Sequence, residues 1–126
     1  MSATNAFETS LLGLIITNAA AVNVGDAGGL LPSAAAGVFW ISLHTASPGE
    51  AGTQATSETV YTNYARQDEA RNITQWTVTG NTADNDNAIG FPQCGVTGAT
   101  LTDFGVGSDT SGVGNLFLYG ALTASL

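Results

Sequence analysis

In several stretches beyond residue 37 the apolar residues recur at every second position, and this period constrains the chain more than any other feature. In GVFWISLHT (37–45), Phe39, Ile41 and Leu43 point one way and Trp40, Ser42 and His44 the other, as in a pleated strand. ITQWTVTG (73–80) repeats the pattern, with Thr74, Trp76 and Val78 on one face. ATLTDFGVG (99–107) and NLFLYGALTA (115–124) read as two further strands, joined by SDTSGVG (108–114), a loop of hairpin composition. NTADNDNAIGF (81–91) is a weaker strand with a polar first half. Threonine is abundant in these stretches and suits a half-exposed pleated surface. Short strands with turn signals at regular spacing predict a mainly β fold, an antiparallel β-sandwich.

The N-terminal part follows a different period. In NAFETSLLGLIITNAAA, Phe7, Leu11, Leu14 and Ile15 recur at spacings of four and seven, which places them on one face of an α-helix. Asn5 can act as its N-cap, with Glu8 completing a capping box. The glycines of VGDAGG (24–29) favour the left-handed conformation that ends helices. The expected layout is therefore a helix over about 5–21, an irregular Gly-, Ala- and Pro-rich connection over 25–37, and the sandwich over 38–126. A chain of 126 residues with no internal repeat is expected to form a single domain over 1–126.

Charge narrows the function. Ten acids face two bases, Arg66 and Arg71, for a formal net charge of −8. Neutralising phosphates takes clusters of Lys and Arg, so nucleic acid and anionic membrane surfaces are not expected partners. A basic protein partner is compatible with such a surface. The apolar stretch LLGLIITNAAAV (11–22) is too short and too interrupted to span a bilayer. With Glu8 in place of a basic n-region it does not read as a signal peptide. Cys94 is the only cysteine, which excludes an intramolecular disulfide and a cysteine-built zinc site.

Chemistry-bearing residues are few. His44, the one histidine, sits at a strand end before a Pro-Gly loop that gives Ser47 and Glu50 no defined orientation toward it. A general base needs a positioned partner and a nucleophile, so a structural role is expected. TADNDN (82–87) is oxygen-rich, but counting from Asp84 the sixth residue is Ile89 and the twelfth Gly95, where a Ca²⁺-binding EF-hand loop needs Gly and Glu. NYARQDEAR (63–71) holds both arginines around Asp68 and Glu69, and Arg66 reads as a structural brace. Trp40 and Trp76, each in an alternating strand, are expected to include at least one core residue. No phosphate-binding loop, HExxH or GxSxG pattern occurs. No catalytic, cofactor-binding or metal-ligating residue is assigned, and no enzyme activity is expected.

Several unusual stretches occur together and in order: SLHTASPGEAG (42–52), NYARQ (63–67) and TDFGVGSDTSGVGNLFLYGAL (102–122). With the N-terminal helix, they resemble a family of small tailed-bacteriophage structural proteins usually labelled tail fibre proteins. The resemblance covers most of the chain. Members of that family usually continue after YGAL for two more strand-like segments, whereas this sequence stops at Leu126. Either a partner strand pairs there by β-augmentation or the edge is protected in another way.

The resemblance implies a non-enzymatic virion structural protein, assembled in the host cytoplasm. Within the virion, small size, low charge and the lack of a long trimeric repeat suggest a capsid decoration or cement-type subunit. A tail or tail-fibre-associated subunit is the alternative, and a carbohydrate-binding module a more distant one. The expected partners are other virion proteins of capsid or tail, in a homo-oligomer or lattice. The expected contact residues are Phe7, Leu11 and Ile15 on the helix, Pro48 and Glu50 in the loop after His44, and Phe117, Leu118 and Tyr119 in the last strand. That strand is apolar on both faces, so it should be covered on both.

Overall fold

The computed structural model describes residues 1–126. It is mainly β, with antiparallel sheets and one N-terminal helix, as the alternation predicts. The elements in chain order are α1 (Asn5–Thr17), β1 (Val38–His44), β2 (Gln67–Ala70), β3 (Trp76–Thr79), β4 (Thr82–Asn85), β5 (Asp103–Gly107) and β6 (Leu116–Ala121). They fall into two compact units, one of residues 1–37 and 70–88, the other of residues 38–69 and 89–126.

The first unit joins α1 to the β3–β4 hairpin. The N-cap is Thr4, whose hydroxyl accepts from the Phe7 N–H, and not Asn5 as the sequence suggested. The hydroxyl of Thr9 instead bonds back to the Asn5 carbonyl at 2.8 Å. The helix ends at Thr17, four residues before the expected 21 and well before the glycines of 24–29. Asn18 takes the left-handed conformation at φ 57°, and the Ala19 N–H reaches back to the Gly13 carbonyl at 3.1 Å. Asn is the residue after Gly that best tolerates this cap. Its side-chain amide also exchanges two hydrogen bonds with the Ser33 backbone, at 3.0 and 2.9 Å. The connection after α1 is thereby tied to the helix end.

Burial on α1 differs from the expected face. Ile16 is its buried residue, Leu11 and Leu14 are half-buried, and Phe7 and Ile15 are exposed. The run LLGLII is apolar on all sides, so its spacing does not single out one face. Trp76, at the start of β3, is the buried aromatic of this unit. Arg71 closes the arrangement. Its guanidinium donates to the carbonyls of Leu14, Ile15 and Ala36 at 2.9, 2.6 and 3.0 Å. A cation at the carbonyl end of a helix both satisfies orphan acceptors and faces the negative end of the helix dipole.

The second unit holds a four-stranded sheet in the order β2-β1-β5-β6. β1 pairs antiparallel with β5, from Trp40 opposite Gly107 to His44 opposite Asp103. β5 pairs antiparallel with β6, with a register shift between Val106 and Gly107. The loop 108–114 connects β5 to β6 as a hairpin, as expected from its composition. β2 was not foreseen. Its sequence, QDEA, has no apolar alternation, and position beside β1 makes it a strand.

One face of this sheet is apolar: Ile41 and Leu43 lie in register with Val106 and Phe104, and Phe39 shares their side of β1. Leu43, Tyr61 and Leu101 form a buried cluster, against which Tyr64, Phe91, Phe104 and Leu122 pack. The Tyr64 ring stands edge-on to Tyr61 at 5.3 Å and stacks on Phe91 at 6.3 Å between centroids.

Candidate functional site

The other face of the sheet, where Trp40, Ser42 and His44 alternate, is polar and closed. Ser42, His44 and Gln54 are each 0 % exposed. The His44 Nδ1 lies 2.8 Å from the Thr56 carbonyl, which can only accept, so Nδ1 carries the hydrogen. In the neutral ring Nε2 then accepts the Ser42 hydroxyl, 2.8 Å away. A serine hydroxyl on a histidine nitrogen is the geometry of a nucleophile and its base. Here both groups lie under the chain's own loop and are fully buried.

That loop is the segment 45–59. Its return leg runs beside the end of β1, with the Thr45 N–H on the Ser57 carbonyl and the Thr59 N–H on the Leu43 carbonyl, both at 2.9 Å. Gln54 closes it over the sheet, donating to the Trp40 carbonyl at 3.1 Å and accepting from the Asp109 N–H at 2.9 Å. The slot for its amide exists because residues 107 and 114 are glycines. A Cβ at Gly107 would run into the Gln54 side chain and the Asn115 carbonyl, and one at Gly114 into the Gln54 amide oxygen.

A second brace lies alongside. Arg66 is 5 % exposed and meets Glu58 through Nε and Nη2, each at 2.7 Å from a carboxylate oxygen. Two of its remaining N–H groups donate to the carbonyls of Asp109 and Gly112, at 2.8 and 2.6 Å. The fork of the guanidinium thus fixes the β5–β6 hairpin loop against the segment that carries Glu58. Tyr64 extends the network: its hydroxyl donates to Glu58 at 2.8 Å and accepts the Leu43 N–H at 3.0 Å. Burial, with the Glu58 carboxylate as hydrogen-bond acceptor, drives the Tyr64 phenol far above its ordinary value. The hydrogen bonds to Glu58 hold the Arg66 guanidinium charged and raise its pKa further.

The residues expected at contact surfaces are dispersed. Pro48 is buried and Glu50 exposed at the loop tip. Phe7 and Ile15 are exposed on α1, in the first unit. Phe117, Leu118 and Tyr119 are adjacent on β6 and are 53 %, 48 % and 40 % exposed. Phe117 keeps one edge contact, with Phe39 at 6.2 Å between centroids. Trp76 is buried and Trp40 half-buried, and Arg66 is the buried brace described above. In the acidic stretch, Asp86 accepts from the Thr77 hydroxyl at 2.7 Å. Cys94 is exposed, beside an apolar depression of about 350 Å³ walled by Leu43, Tyr61, Phe91 and Leu101.

The sequence signals for Gln54, Glu58 and Tyr64 were weak or missed. Arg66 reads from the sequence as a structural brace, but nothing in the spacing pairs Glu58 with it or with Tyr64. Gln54 carries no sequence signal, since its partners are backbone groups brought near by the β1–β5 pairing.

The site is therefore a sheet closed on one face by its own polar side chains, with three exposed apolar residues, Phe117, Leu118 and Tyr119, in succession on the last strand. No curated protein matches the chain. The family model described as Podophage GP4 fiber I protein gp80 matches residues 3–126. That match spans nearly the whole length, through the SLHTASPGEAG, NYARQ and GNLFLYGAL stretches that build the sheet and its braces, and the chain belongs to this phage tail fibre-type family of virion structural proteins.

Proposed function

We propose that the protein is a non-enzymatic structural subunit of the fibre apparatus on the phage tail, held in place by contacts with other virion proteins. The family match over residues 3–126 carries this reading, since its description names a fibre component. The physical arrangement supports it. The one histidine and its serine neighbour lie fully buried in hydrogen bonds to the chain's own backbone and side chains. Apolar side chains that a free subunit would hide stand exposed on β6. The capsid-decoration role suggested by size and charge rests on no feature that the tail role lacks, and the family description favours the tail.

The test is immunogold labelling of intact particles whose copy of this chain carries an epitope tag at the exposed Glu50–Ala51 loop tip. Label at the tail supports the proposal. Label distributed over the head overturns it in favour of a decoration subunit. Turnover of host-surface polysaccharide by the purified chain would overturn the non-enzymatic half.

A further inference from the structure

The four-stranded sheet ends on two unlike edges. One is β2, QDEA, where Asp68 and Glu69 stand in succession. Burial, and then the neighbouring Asp68, push the Glu69 carboxyl up. Charges on an outer strand oppose the addition of another strand, which would have to strip water from them. The opposite edge is β6, LFLYGA, and no strand lies beyond it. It contains no charge and no proline, and it lies within a run from Thr110 to Leu126 that has no charged side chain. Three of its consecutive side chains, Phe117, Leu118 and Tyr119, are exposed. Of the usual protections of an edge strand, charge and proline are absent, and the one irregularity is the register shift between Val106 and Gly107 in its pairing with β5.

Charge decides what fits there. The net charge is −8, and both arginines are engaged inside the chain: Arg66 on Glu58 and two carbonyls, Arg71 on three carbonyls. A basic partner would be drawn to the acids elsewhere on the surface and would find nothing to pair with along β6. A second copy of the chain is repelled wherever acids face acids, and β6 is an edge where they do not. Geometry agrees. When two edge strands pair antiparallel about an axis perpendicular to the sheet, each face continues into the same face of the partner. Leu118, in register with Val106 and Ile41, then extends an apolar face with its own equivalent. Tyr119, in register with Gly105, lies on the other face and continues that face toward the partner.

We propose, on the reading of the chain as an assembled structural subunit, that β6 pairs antiparallel with β6 of a second copy and joins two sheets into one. Pairing of β6 with the partner's β2 is disfavoured by the acids of that edge.

The experiment is sedimentation equilibrium of the purified full chain, compared with Leu118→Lys, Tyr119→Lys and Val60→Lys. Val60 is 90 % exposed and lies outside β6. The wild type and Val60→Lys should be dimers. The two β6 variants should raise the dissociation constant by about tenfold or more, because each places an ammonium in the joint. Near-UV circular dichroism shows whether each variant is folded. If neither β6 variant folds, amide exchange on the wild type decides: protection of residues 116–121 that rises with protein concentration supports the pairing, and concentration-independent protection overturns it. A wild type that stays monomeric at millimolar concentration overturns it, as does a dimer or larger oligomer that survives both lysine substitutions. Because the chain is studied alone, this outcome is independent of where on the particle the subunit sits.

Discussion

Arg66 and Glu58 form a two-pronged ion pair, Nε to Oε1 and Nη2 to Oε2, each at 2.7 Å, with the Arg66 side chain only 2 % exposed. Removing one partner of such a pair leaves the other charge buried without compensation. Glu58→Gln should destabilise the folded chain by about 3 kcal/mol, at the lower end of the usual range because Glu58 retains some exposure. Arg66→Lys should also be poorly tolerated, since an ammonium cannot reproduce the fork onto Glu58 and the two loop carbonyls. Urea unfolding followed by tryptophan fluorescence measures both. Midpoints equal to wild type would show that the brace is dispensable.

Tyr64 makes stability sensitive to alkali. Its folded-state pKa is raised far above the ordinary value of about 10. Between the unfolded and folded values the unfolded chain releases a proton that the folded chain retains. The stabilising contribution is therefore complete below about pH 10 and declines as pH rises above it. The melting temperature should fall steeply in that range for wild type and less steeply for Tyr64→Phe. That variant should start lower at neutral pH, having lost its bonds to Glu58 and the Leu43 N–H.

Gly107 and Gln54 should behave as one unit. Gly107→Ala places a methyl group on the Gln54 side chain and the Asn115 carbonyl, an overpacking expected to cost about 1–3 kcal/mol or more. Gln54→Ala removes the bonds to Trp40 and Asp109 but also removes the nearer of the two obstacles, leaving the Asn115 carbonyl. The double variant should be less destabilised than the two single losses added together. Strict additivity in a double-mutant cycle would contradict the slot.

In the other unit, Arg71→Ala frees the carbonyls of Leu14, Ile15 and Ala36. Amide exchange should accelerate in the last turn of α1 before it does in the four-stranded sheet. Trp76→Ala, which empties the buried aromatic position of the same unit, should cost about 3–5 kcal/mol. A wild-type melting temperature in both variants would remove this account of the unit.

What the sequence conveys here depends on how local the determinant is. β1, the β5–β6 hairpin and the existence of α1 follow from period and turn composition, which are local. The cap at Thr4 and the stop at Asn18 were misplaced because Asn5 and the later glycines satisfy the same rules equally well. Ile16 was missed as the inward residue since its neighbours are equally apolar. β2 could not be read at all: QDEA becomes a strand through β1. The same holds for Gln54 and Glu58, polar residues whose partners lie far away in sequence or on the backbone. The hydrophobic pattern reports burial of apolar groups and says nothing of polar groups buried by being bonded.

The loop after β1 is anchored at Thr45 and again from Thr53 onward, with Glu50 and Ala51 exposed between the anchors. Its fastening therefore lies at the ends and leaves the tip unburdened. Closing a longer loop between fixed ends costs only roughly 0.6 kcal/mol for each doubling of length. Foreign peptides grafted between Glu50 and Ala51 would sacrifice the single turn from Gly49 to Gly52 while the sheet beneath keeps its register. The tip is thus the place where added length should cost the fold least, and residues 54, 58, 66 and 107, bonded or packed beneath it, the places where change should cost it most.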